Sequence, residues 1–70
     1  MRAIEIQDDY IKLGQLLKLA DLVSSGVEAK IVITEGKVKV NGETETRRGK
    51  KIFPQDVVEF QGEEIMTIRG

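Results

Sequence analysis

GKVKVNGETETRRGKK, residues 36–51, decides how the chain is read. Val38 and Val40 alternate with Lys37 and Lys39, the period-two pattern of a strand with one apolar and one charged face. Asn41-Gly42 follows at once. Both residues tolerate positive φ, and Asn-Gly beside alternating residues is a strong hairpin signal. Thr44 and Thr46 suit the returning strand. Arg47 to Lys51 reads as a basic loop with Gly49 at its centre. Gly36, at the front, stands where a helix stops in the left-handed conformation.

Upstream of this stretch the spacing predicts two helices. Leu13, Leu16, Leu17 and Ala20 share one helical face, so a helix is expected from Tyr10 to about Val23, with Asp8 and Asp9 as its N-cap. Gly14 interrupts it at about 1 kcal/mol relative to Ala, and its bare backbone allows close packing. Ser25 and Glu28 form a capping box, in which the Ser oxygen accepts from a free amide and the Glu reaches back to the cap amide. A second helix therefore starts near Gly26 and buries Ala29, Val32 and Ile33. The β-branched run Ile31 to Thr34 also fits a strand. Before both helices, Arg2 to Gln7 alternates as a strand with Ile4 and Ile6 on one face.

Downstream, Ile52-Phe53 returns to the core, Pro54-Gln55-Asp56 turns, and Val57–Phe60 and Ile65–Ile68 are strands. The fold class is α+β: two short helices packed on a small, curved, mainly antiparallel sheet. Seventy residues make one domain, 1–70.

The net charge of −1 hides a sharp distribution. Residues 30–51 hold Lys30, Lys37, Lys39, Arg47, Arg48, Lys50 and Lys51 against Glu35, Glu43 and Glu45, a net of +4. The flanks are acidic, at −2 for residues 1–29 and −3 for residues 52–70. A basic middle between acidic ends is the footprint of an oriented anion-binding face. Phosphate is the obvious anion. The alternatives are a solvated surface, or a protein-interaction module that sets Asp56, Glu59, Glu63 and Glu64 and the basic loop against opposite patches on a partner.

Other chemistry falls away. The chain has no Cys and no His, which removes disulfides, thiolate or imidazole metal sites and the usual nucleophile–base pairs. Six residues separate Gly42 from Gly49, where a phosphate loop has about four. No cofactor, no metal and no catalysis are expected. No apolar run approaches the ~20 residues of a membrane span, and Met1-Arg2 leads into a strand rather than an apolar leader. A cytoplasmic monomer is the expectation. Tyr10, Phe53 and Phe60 are the only aromatics, and Phe53 and Phe60 fit core positions. Contacts to nucleic acid would then go to phosphate and sugar, which favours structured RNA read by shape.

Two helices, GKVKVNG, a basic loop and PQDVVEF, in that order, resemble the S4 RNA-binding domain, the αL-motif family. Lys12-Leu13 stand where that family has Arg-Leu, and Ala29, Val32, Ile33, Gly36, Val38, Val40, Asn41, Gly42 and Asp56 match its pattern. The likeness covers about residues 10–60. With the leading strand and the RRGKK loop, the chain is similar to small stand-alone bacterial S4-like proteins of the YbcJ type. The resemblance implies RNA binding through the helix–helix–ribbon unit in a bacterial cytosol, with Lys12 and Lys30 at usually basic positions. Two departures stand out. Gly14 replaces the family's Asp, and Gly26 replaces an Arg ahead of the second helix, a loss the loop is expected to make good. The expected RNA-binding set is Lys12, Lys30, Lys37, Lys39, Arg47, Arg48, Gly49, Lys50 and Lys51.

Overall fold

The computed structural model describes residues 1–70. Its elements are β1 (Arg2–Ile6), β2 (Ile11–Lys12), α1 (Leu13–Leu19), α2 (Gly26–Thr34), β3 (Val38–Val40), β4 (Glu43–Thr44), β5 (Lys51–Ile52), β6 (Val57–Phe60) and β7 (Glu63–Arg69). Five strands form one sheet in the order β1-β7-β6-β3-β4. Its pairings are antiparallel except for β1 with β7, which run parallel. A separate two-stranded ladder joins β2 to β5.

One apolar cluster unites the helices with the sheet. Leu13, Leu16 and Leu17 of α1 and Ala29, Val32 and Ile33 of α2 meet Val38, Val40, Ile52, Val58 and Phe60. The 3.6-residue period of the helices and the two-residue period of the strands supply one apolar face each. Val38 and Val40 are buried while Lys39 between them is exposed.

The signals around residue 36 describe the backbone well. Gly36 (φ 76°) ends α2 in the left-handed conformation. The Lys37 amide bonds the Val32 carbonyl, and the Gly36 amide bonds that of Ile33. These are the two bonds of a Schellman stop. Asn41 (φ 51°) and Gly42 (φ 86°) are both left-handed, as a type I′ hairpin turn requires, and Val40 pairs with Glu43 across it. Ser25 Oγ accepts the Glu28 amide at 3.1 Å. The Glu28 carboxylate returns to the amide and hydroxyl of Ser24, one residue before the expected cap amide.

Three expectations are corrected. α1 does not begin after Asp8-Asp9. Its N-cap is Lys12, with no side-chain hydrogen bond. Ile11 and Lys12 instead pair with Ile52 and Lys51, and the carbonyls of Lys50 and Arg48 accept the amides of Leu13 and Gly14 at 2.8 and 3.1 Å. Backbone carbonyls thus do what a cap side chain would, and Asp9 pairs with Arg69. α1 also stops at Leu19, short of Val23, where Asp21 (φ 61°) turns left-handed and the Leu22 amide returns to Leu17. Finally, Phe53 is not core: it is 47 % exposed. Ile52 fills the core from β5, and the alternating strand geometry directs its neighbour outward.

Candidate nucleic-acid interface

The basic segment is a clipped turn rather than a free loop. The Lys50 amide bonds the Arg47 carbonyl at 3.2 Å, closing the turn Arg47-Arg48-Gly49-Lys50. The two carbonyl contacts to Leu13 and Gly14 hold that turn on the first residues of α1. Gly14 makes the approach possible. A Cβ there would stand 2.7 Å from Cγ of Arg48 and 3.3 Å from its Cδ.

Lys12, Lys18 and Arg48 surround a shallow cleft between α1, the start of α2 and the turn. Gly14, Gly26, Ala29 and Gly49 line it as well. Arg48 therefore borders the same cleft as Gly26. Lys18 was missed from the sequence. It lies four residues after Gly14, on the same helical face, and that spacing was the available signal. Nothing inside the chain requires glycine at 49. Its φ is not positive, and an added Cβ would meet no atom within 4 Å.

The cations divide by their partners. Lys37 pairs with Glu35 at 3.1 Å. Arg47 pairs with Glu45 through Nε at 2.9 Å and Nη2 at 3.3 Å, and the same carboxylate accepts the Arg47 amide. This bonding holds the Glu45 carboxyl below the usual carboxylate range and raises the Arg47 guanidinium further. Arg2 and Arg69 also pair, with Glu63 and Asp9. Lys12, Lys18, Lys30, Lys39, Arg48, Lys50 and Lys51 form no ion pair. Lys12 and Lys51 are direct cross-strand partners, a like-charge pairing that is unfavourable without a counter-charge. The Lys51 ammonium leans over the Tyr10 ring, 4.9 Å from its centroid.

The expected residues thus separate. Lys12, Arg48 and Gly49 share the cleft, with Lys50 and Lys51 on the adjoining stretch. Lys39 lies on the outer face of the sheet, in register with Thr44 on one side and Glu59 on the other. Lys30 is exposed on α2 and does not line the cleft. Of the acids in the rival protein-docking patch, Glu63 is held by Arg2 and Asp56 is bonded into a turn.

Comparison with known proteins fits this architecture. The family model described as the S4 domain matches residues 4–68. The chain belongs to the S4 domain family. The match extends past the helix–helix–ribbon unit into β1 and β7. The chain is 49 % identical over 59 residues to a probable ribosome maturation protein, RlbA, of Bacillus subtilis, covering 84 % of this chain and 83 % of that one. It is 42 % identical over 59 residues to a putative RNA-binding protein, YbcJ, of Escherichia coli, covering 84 % of each. The solution structure of E. coli YbcJ, described as revealing an αL motif involved in RNA binding, superposes with a TM-score of 0.74 at 38 % identity, over 97 % of this chain and 87 % of that one. The 30S ribosomal protein S4e of Thermoplasma acidophilum superposes with a TM-score of 0.62 at 29 % identity, over 83 % of this chain and 31 % of that one.

Proposed function

We propose that this S4 domain binds structured RNA, without catalysing a reaction of its own, by seating phosphates in the cleft between α1, the start of α2 and the Arg47–Lys50 turn. The observation that carries this reading is the distribution of unpaired cations. Lys12, Lys18, Arg48, Lys50 and Lys51 converge on one end of the molecule with no carboxylate partner; Arg47, in the same turn, is paired with Glu45, and Arg2, Lys37 and Arg69 elsewhere are paired too. A folded domain holds such a cluster against its own repulsion, and a polyanion relieves it. The guanidinium of Arg48 is the candidate for a bidentate phosphate contact. Gly49 leaves room for a sugar–phosphate chain to approach the turn. Lys30, Lys37 and Lys39 lie outside this cleft and serve as longer-range attraction. The names of two relatives, a probable ribosome maturation protein and a 30S ribosomal protein, support ribosomal RNA as the target; that the chain binds it as a cytoplasmic monomer is part of the proposal.

The test is an NMR titration of labelled protein with a short structured RNA at two salt concentrations. Shifts centred on Lys12–Lys18 and Arg47–Lys51 that weaken steeply with salt are expected. Saturable shifts confined to Lys37–Lys39 would move the interface to the ribbon. No shift at low salt with several RNA shapes would return the cluster to a solvated or protein-docking surface.

A further inference from the structure

Phe53 is anomalous. A ring this large is normally buried, yet it stands half-exposed beside the most basic part of the chain. Together with Arg47, Gly49, Lys50 and Lys51 it lines a hollow next to the turn. A second hollow on its flank is of mixed charge, lined by Arg47, Lys50 and Lys51 and by Glu43, Glu45 and Asp56. Tyr10 makes a tilted ring contact with it, with centroids 5.8 Å apart at 49°, and Lys51 lies over the Tyr10 ring.

The backbone that carries Phe53 is held firmly. Its amide donates to the Asp56 carboxylate at 2.8 Å. Its carbonyl accepts the fully buried Thr67 hydroxyl at 2.5 Å and the Asp56 amide at 3.0 Å. Asp56 is itself bonded by Asn41 Nδ2 at 3.0 Å. The ring is therefore presented on a fixed turn, and the exposure is not the result of a loose segment.

We infer that Phe53 is a stacking platform for one unpaired base, so that the preferred ligand is RNA with a bulged or single-stranded nucleotide next to a helix rather than an uninterrupted duplex. This rests on the RNA-binding reading above and refines its ligand. A base inside a duplex already stacks on its neighbours and presents no free face. An unpaired base does, and aromatic side chains are where proteins receive it. The neighbouring Lys50 and Lys51, which form no ion pair, would take the phosphates on either side of that nucleotide. Stacking tolerates any base, because each has a π-face. The discrimination is for an unpaired nucleotide and not for its identity.

The experiment compares two hairpin RNAs, one fully paired and one carrying a single 2-aminopurine bulge, with the wild-type chain and with Phe53→Ala, Phe53→Leu and Phe53→Tyr. The wild type is expected to bind the bulged hairpin about tenfold more tightly, to quench 2-aminopurine fluorescence, and to shift the Phe53 ring protons upfield. Phe53→Ala and Phe53→Leu should lose that preference and the quench while keeping duplex affinity and its salt dependence. Phe53→Tyr should keep both. Leu retains apolar bulk without a π-face, and Tyr retains the ring, so loss of fold and loss of stacking are told apart. Equal binding of the two hairpins by the wild type, or an unchanged preference in Phe53→Ala, overturns the platform and leaves the phosphate-binding reading standing. Binding of neither hairpin at low salt overturns both.

Discussion

The aliphatic stem of Arg48 lies across Gly14, close enough that a Cβ on residue 14 would meet Arg48 Cγ at 2.7 Å. The two backbones are bonded at the same place, from the Gly14 amide to the Arg48 carbonyl at 3.1 Å. Gly14 is the second residue of α1, and glycine in a helix is disfavoured by up to about 1 kcal/mol relative to alanine, yet here glycine is what admits the basic turn. Gly14→Ala should therefore fail to stabilise the wild type. In an Arg48→Ala background the same substitution should recover up to about 1 kcal/mol. Urea unfolding of the four proteins of this double-mutant cycle measures the coupling, and a stabilised Gly14→Ala single variant would refute it.

Arg47 and Arg48 are neighbours in sequence with different tasks. Arg47 is already bonded to Glu45, whereas Arg48 is unpaired at the cleft. Arg48→Ala should weaken binding of a structured RNA more than Arg47→Ala does, and should lower the log–log salt slope by about 0.7–0.9. Filter binding across a salt series separates the two. Equal losses would show that RNA displaces Glu45.

Gly49→Ala isolates the turn from the fold. The position is open and its φ is not positive, so melting temperature should stay within about 2 °C of wild type, the change expected of a mild surface substitution. RNA affinity should nevertheless fall, because the added methyl lies where the sugar–phosphate chain would approach. Unchanged affinity would move that chain off the turn.

Asp56 joins three segments. Its carboxylate receives the Phe53 amide and Asn41 Nδ2, and Asn41 Oδ1 in turn receives the Val57 amide at 2.9 Å. Asp56→Ala strips partners from a backbone amide and a side-chain amide together, and should cost about 1–3 kcal/mol by chemical denaturation. Asp56→Asn keeps one acceptor and should cost less.

Acid should loosen the start of α2. Hydrogen bonds from the Ser24 amide and hydroxyl hold the Glu28 carboxyl below its usual range, and the Arg47 side chain does the same for Glu45. A carboxyl depressed in the folded state stabilises it above the unfolded-state pKa, and that contribution is lost as pH falls through the lower folded-state value. Thermal stability should therefore drop through and below the ordinary carboxylate range. Glu28→Gln should be less stable near neutrality and show a shallower acid decline. A variant with an unaltered pH profile would remove this cap from the acid response.

The stretch from Gly36 to Gly42 was legible because its determinants are local. Left-handed φ at Gly36, Asn41 and Gly42, and alternation at Val38 and Val40, need no knowledge of the rest of the chain. The cap of α2 was equally local. The start of α1 was not, because carbonyls some thirty-five residues downstream replace the side-chain cap that Asp8 and Asp9 offered. Phe53 misled for a related reason. Alternation fixes opposite faces for Ile52 and Phe53, but only the packed structure shows that β5 is buried on one side alone. At the candidate interface the basic cluster was visible and Lys18 was signalled only by its spacing from Gly14, while the Glu45–Arg47 pairing that sets Arg47 apart from Arg48 emerged only in three dimensions.

The parallel pairing of β1 with β7 sets residue 2 beside residue 65 and residue 6 beside residue 69. On a translating ribosome β1 emerges ahead of the other elements of this domain and waits without its partner until the last of them, β7, has been synthesised. The hairpin, the two helices and the basic turn all lie between residues 11 and 52 and assemble from closer segments. The cationic end of the molecule can thus take shape while the sheet edge is still open, and closing that edge is the slow, late step expected of a contact at such long sequence separation.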